Sequence, residues 1–119
     1  MRLGYTIDYE WIPKQKYISI EEYEKDLQHY LKYECRYHVE EIKVNLNSFI
    51  LVDSKFQIKI KLNLKTERYN SILNEIEKNL DVNNYLILIL LSFKKNLEYK
   101  KFEASIRDFF EGKIIILFK

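Results

Sequence analysis

At 119 residues, 47% hydrophobic and 32% charged, with two Gly and one Pro, the chain suits one folded domain; disorder and fibrous repeats are excluded. Its 20 basic and 18 acidic residues nearly cancel, so any pull on nucleic acid or an acidic membrane must come from a local patch. The lone Cys35 rules out an internal disulfide and a multi-cysteine zinc site and favours a reducing compartment.

The opening stretch RLGYTIDYEW alternates. Leu3, Tyr5, Ile7, Tyr9 and Trp11 share one parity, which predicts a strand with an aromatic inner side, ended by Pro13. It lacks the apolar core of a signal peptide. A helix follows. Ser19 and Glu22 have capping-box spacing, Ile18 and Tyr23 are placed as a hydrophobic staple, and Ile20, Tyr23, Leu27, Tyr30 and Leu31 form one helical stripe.

The middle, 38–64, holds two or three strands. Ile42, Val44 and Leu46 alternate, and turns are expected at Asn47–Ser48 and at Asp53–Ser54, neither with an Asn-Gly or Asp-Gly signature. Residues 55–65, KFQIKIKLNLK, alternate almost without a break: Phe56, Ile58, Ile60, Leu62 and Leu64 point one way and the lysines the other. Thr66 is placed to cap a second helix, along which Tyr69, Ile72, Leu73, Ile76 and Leu80 keep a stripe. Residues 85–93, YLILILLSF, show no alternation and read as a strand covered on both faces; they are too few to span a bilayer. A third helix is expected around 99–111, stopped by Gly112, and KIIILF supplies a last strand.

The expected order is β-α-β-β-(β)-α-β-α-β, with no linker or repeat: a single α+β domain over 1–119, its mixed or antiparallel sheet packed by two or three helices. With two middle strands the order is ferredoxin-like with a C-terminal αβ extension. With three, an α-β-β-β-α-β core emerges, an order shared with restriction-endonuclease-like nucleases and, without its last strand, with double-stranded-RNA-binding domains.

Four features could carry function. Lys55, Lys59, Lys61 and Lys65 project from one side of their strand over roughly 30 Å at about 3.3 Å per residue, a row suited to a phosphate backbone. Lys94, Lys95, Lys100 and Lys101 could extend it. The same row also serves as the wet side of a sheet. His38 and Glu40 share a strand face, with His29 a helix away; a His and a carboxylate at that spacing can hold a divalent metal. The pattern approaches the His-hydrophobic-His of tyrosine-dependent nicking enzymes, with Glu40 in place of the second His and Tyr69 the only placed tyrosine. Asp53, Gln57 and Lys59 approximate the D…(E/Q)-x-K of metal-dependent nucleases. Tyr33 and Tyr37, with Arg36 beside them, compose a Tyr/Arg patch of the kind found at protein interfaces. Cys35 reads as a small buried filler, and two glycines cannot build a phosphate cradle, which excludes a nucleotide cofactor bound by that route.

The reading that follows is a small non-enzymatic binding domain, cytoplasmic, homodimeric and without a membrane segment. It meets nucleic acid or another protein through the lysine face, the Tyr/Arg surface or both. Its heavy Tyr and Lys usage resembles that of viral or mobile-element accessory proteins. The alternatives are a metal-dependent nuclease or DNA-nicking enzyme using His38 and Glu40, in which a divalent metal is the only cofactor, and a structural or assembly subunit.

Overall fold

A computed structural model of the protein describes residues 2–44, 47–62, 69–79, 85–91, 97–110 and 113–118. Five strands, β1 (Val39–Val44), β2 (Asn47–Val52), β3 (Phe56–Leu62), β4 (Tyr85–Leu91) and β5 (Ile114–Phe118), form one sheet in the order β1-β2-β3-β4-β5. The first three run antiparallel to their neighbours, while β3, β4 and β5 are parallel. The two parallel steps cross over through α3 (Tyr69–Asn79) and α4 (Leu97–Phe110), as parallel pairing requires. Helices α1 (Arg2–Tyr5, widened over Thr6–Glu10) and α2 (Ile20–His29, widened over Tyr30–Glu34) cover the opposite face.

The result is an α+β domain with two cores. Ile87, Ile89 and Leu91 of β4 join Ile50, Val52, Ile58 and Ile60 beneath Leu3, Ile7, Trp11, Tyr23, Leu27 and Leu31. Leu86, Leu88 and Leu90 turn to Ile72, Ile76, Tyr99, Phe102 and Ile106. The unalternating β4 run is thus buried on both faces, as its composition requires.

The first element departs from expectation: residues 2–10 are helical, not a strand. Leu3, Ile7 and Trp11 are buried, whereas Tyr5 and Tyr9 lie 57% and 69% exposed with ring centroids 4.8 Å apart. Apolar residues four apart satisfy a helix and a strand alike. Here a π turn, closed by Trp11 N–H donating to the Thr6 carbonyl at 2.9 Å, keeps that four-residue set on one side. With a helix at the start and three strands in the middle, the ferredoxin-like order is not the one present; α2 to β4 follows α-β-β-β-α-β instead.

Smaller expectations divide. Ser19 caps α2, its Oγ accepting from Glu22 N at 3.3 Å, but Ile18 is 90% exposed and staples nothing. Asn47 and Ser48 open β2, paired to Val44 and Lys43, and are not a turn. Asp53 and Ser54 do turn, both with left-handed backbone (φ 52° and 55°), and Lys55 N–H donates to the Val52 carbonyl at 3.1 Å. Thr66, Leu64, Lys65, Lys94, Lys95 and Gly112 lie outside the described residues.

Candidate functional site

The alternation of β3 is real, but its lysine side is not wet. Ile58 and Ile60 enter the core under α2, as expected. The opposite face, carrying Lys59 and Lys61, lies under α3, and their side chains keep only 17% and 14% of their exposure. Both ammoniums converge on one carboxylate: Lys61 Nζ hydrogen-bonds Glu75 Oε2, and Lys59 Nζ lies 3.2 Å from Glu75 Oε1. Burial by itself would raise the Glu75 pKa, but the Lys61 hydrogen bond and the two positive charges reverse this and hold it below its usual value.

A local opening of the sheet makes room for this arrangement. β2 pairs with β3 only from Ile50–Ile58 to Val52–Phe56. Beyond that point Lys59 Nζ reaches across and donates to the Ser48 carbonyl at 2.6 Å. On the other face the Ser48 hydroxyl hydrogen-bonds both oxygens of Glu24, a buried acid of α2, at 3.2 Å. Burial raises the Glu24 pKa, outweighing the lowering effects of Ser48 and Lys59. The expected open lysine face is therefore an internal charged layer running from α2 through the sheet to α3. Of the remaining row, Lys55 is exposed at the β2–β3 turn, its Nζ 5.5 Å from the Phe56 and Tyr85 ring centroids.

His38 and Glu40 do meet: Nε2 and Oε1 are 2.9 Å apart, exposed at the start of β1. Asp53 joins them through the backbone, its Oδ1 accepting from His38 N at 3.1 Å and its N–H donating to the His38 carbonyl at 2.8 Å. Among the described residues, no group of three or more His, Cys, Asp or Glu is arranged to hold a metal ion. Gln57 is buried, and Lys59 is drawn away to Ser48 and Glu75, so Asp53, Gln57 and Lys59 do not form a common centre. Tyr69 packs its ring 4.8 Å from that of Phe102, inside the α3–α4 core. His29 stacks on Tyr33 with centroids 4.7 Å apart.

A further depression lies elsewhere. A cleft of about 760 Å³ opens between α1 and the α2–β1 connection, lined by Arg2, Tyr5, Glu10, Glu34, Arg36 and Tyr37, with Thr6, Cys35 and Asp53 at its walls. Irregular backbone collects there. Both π turns border it, the second closed by Cys35 N–H donating to the Tyr30 carbonyl at 3.1 Å. Arg36 ends α2 in the left-handed conformation (φ 60°) usually taken by glycine, and Tyr37 N–H then returns to the Leu31 carbonyl at 2.9 Å. Two π turns and two left-handed non-glycine residues, Arg36 and Asp53, thus lie around one hollow. Burial, followed by a hydrogen bond with Cys35, raises the pKa of nearby Tyr30.

Of the expected Tyr/Arg patch, Arg36 and Tyr37 line this cleft. Tyr33 stays 62% exposed on the last turn of α2, with Lys32 Nζ 5.5 Å from its ring centroid. The helix ends before Tyr37, so Tyr33 and Tyr37 do not share a helical face. Arg2 and Glu10 go unnoticed in the sequence, and Tyr5 falls on the inner side of an expected strand, because the first element reads as part of a sheet. Glu24 did carry a signal: it sits on α2 between the buried Tyr23 and Leu27. No protein-family model, curated protein or solved structure matches the chain.

Proposed function

We propose that this chain is a non-enzymatic binding domain of a reducing intracellular compartment, whose partner is a protein segment seated in the cleft between α1 and the α2–β1 connection. The observation that carries the reading is the lining itself. Tyr5, Tyr37, Arg2 and Arg36 are the residue types that anchor protein interfaces. Glu10, Glu34 and Asp53 offset the two guanidiniums, so the hollow offers mixed charge rather than the uniform positive field a phosphate backbone needs. Tyr9 and Tyr33 are further exposed aromatic surface on the same helical layer.

Arg36 provides a clean test, because glycine fits its left-handed backbone at least as well. Photo-crosslinking from position 5, with position 101 on α4 as control, identifies the partner in cells; affinity is then measured with the purified partner. Arg36→Gly should leave the fold intact and weaken binding about ten-fold or more, as truncating an interface arginine does. Crosslinks equal to those at position 101, or affinity unchanged by Arg36→Gly and Tyr5→Ala, would overturn the reading.

The contact between His38 and Glu40 keeps a second reading in play, metal-dependent cleavage of nucleic acid at the β1 edge. Incubating DNA and RNA with Mg²⁺ or Mn²⁺ tests it: cleavage lost in His38→Ala supports this reading, and no cleavage by the parent ends it.

A further inference from the structure

The two edges of the sheet are built differently. β1 carries Glu40, Glu41 and Lys43, all exposed, and charge on an edge strand deters further pairing. β5 has the sequence IIILF, with no charge, proline or glycine, and among the described residues its only strand partner is β4. Among the described residues no strand pairs with its outer row of backbone N–H and C=O groups, and the strand carries no charge or proline to blunt that edge. The strand is also apolar on both faces. Ile115 belongs with the α1–α2 core and Ile116 with the α3–α4 core, and both remain half-exposed.

We propose that β5 pairs with β5 of a second copy, antiparallel about a two-fold axis normal to the sheet near Ile116, joining two domains into one ten-stranded sheet. Such an axis keeps each face on its own side. The β1 edge could not fill this role, because its charged side chains would lie against isoleucine. A strand of alternating polarity could match only one face of β5, whereas its own copy matches both. With the axis at Ile116, that residue meets its equivalent, and Ile115 meets Leu117 of the other copy on the opposite face. Both cores then continue across the junction. Five paired residues, about 16 Å of strand, bury less than the roughly 1,200 Å² of a standard stable interface, so the dimer should dissociate on dilution.

Sedimentation equilibrium over a concentration series tests the proposal with the intact chain. The expected result is a reversible shift from 14.6 kDa toward twice that mass. Ile116→Lys should weaken the shift about ten-fold or more by placing an unpaired ammonium at the contact. Because that variant could fail to fold, Ile116→Cys in a Cys35→Ser background gives an independent reading. Directly opposed residues in an antiparallel pair lie about 4.5–5.5 Å apart at Cα, within disulfide reach, so mild oxidation should crosslink position 116 and leave Lys43→Cys on β1 uncrosslinked. A 14.6 kDa species at every concentration, association unaltered in a folded Ile116→Lys protein, or crosslinking at position 43 in place of 116 would overturn it.

Discussion

Replacing Glu75 with glutamine keeps the shape of the side chain and removes a charge that Lys59 and Lys61 share. The two ammoniums, with side chains 17% and 14% exposed, would then lie side by side without their shared counter-ion. Breaking a buried pair by removing one partner costs about 3–5 kcal/mol; the residual solvent contact here reduces that to about 2–4 kcal/mol. That is a large part of the roughly 5–15 kcal/mol that holds a domain together. Urea denaturation at neutral pH gives the difference directly. The triple change Lys59→Met, Lys61→Met, Glu75→Leu should recover most of the loss, since a well-packed apolar replacement of an ion cluster is often neutral. The pH dependence has a fixed sign. The folded-state pKa of Glu75 is lowered, so its contribution is present above the unfolded pKa and lost as pH falls through the folded value. The gap between parent and Glu75→Gln should therefore close in acid. The exposed Glu41–Lys43 pair, 3.8 Å apart, serves as control: Glu41→Gln should change stability by no more than about 0.5 kcal/mol. If Glu75→Gln is as mild as Glu41→Gln, the internal charged layer is wrong.

Other consequences follow from the same hydrogen-bond patterns. Glu24→Gln should stabilise the protein at neutral pH. The raised folded pKa of Glu24 means its contribution is complete below the unfolded pKa and lost as pH rises through the folded value, so the benefit should vanish in acid; destabilisation at neutral pH would contradict this. Asp26 receives Trp11 Nε1, Lys14 N and Tyr17 Oη at 3.2, 2.8 and 2.7 Å. Burial alone would raise its pKa, but these donors lower it, so Asp26→Asn should cost about 2–4 kcal/mol and speed hydrogen exchange in residues 11–19. The hydrogen bond to Asp26, with burial and the carboxylate charge, pushes Tyr17 up to about 12, so Tyr17→Phe should remove a step near 12 from a spectrophotometric tyrosine titration. Ser19→Ala should cost about 1 kcal/mol by removing the α2 cap, whereas Ile18→Ala should cost almost nothing; equal losses in thermal melts would refute the distinction.

Patterning located α2, β3, β4 and α4 because each keeps a single hydrophobic pattern along its length. β4 is the clearest case, since an unbroken aliphatic run of that length fits only a strand covered on both sides. The opening failed because Leu3, Ile7 and Trp11 obey both periods, and nothing local reveals that a π turn will align them. At β3, alternation separated two faces but could not say that each would be covered. That depended on the crossover helix α3, whose Glu75 is separated from Lys61 by fourteen positions in the chain. The cleft was legible only at Arg36 and Tyr37. Its other wall comes from the misread first element, and the left-handed backbone of Arg36 leaves no mark in a pattern of residue types.

The contrast between an internal lysine layer and an open binding face comes down to the accessibility of two amines. Brief acylation of the native protein, followed by peptide mass spectrometry, reads it residue by residue. Lys59 and Lys61 should acylate about ten-fold or more slowly than Lys43 and Lys55, because only opening of the α3 face exposes them. Modification of Lys59 and Lys61 at the rate of Lys43 and Lys55 would return the binding surface to the sheet and contradict its assignment to the α1–α2 cleft.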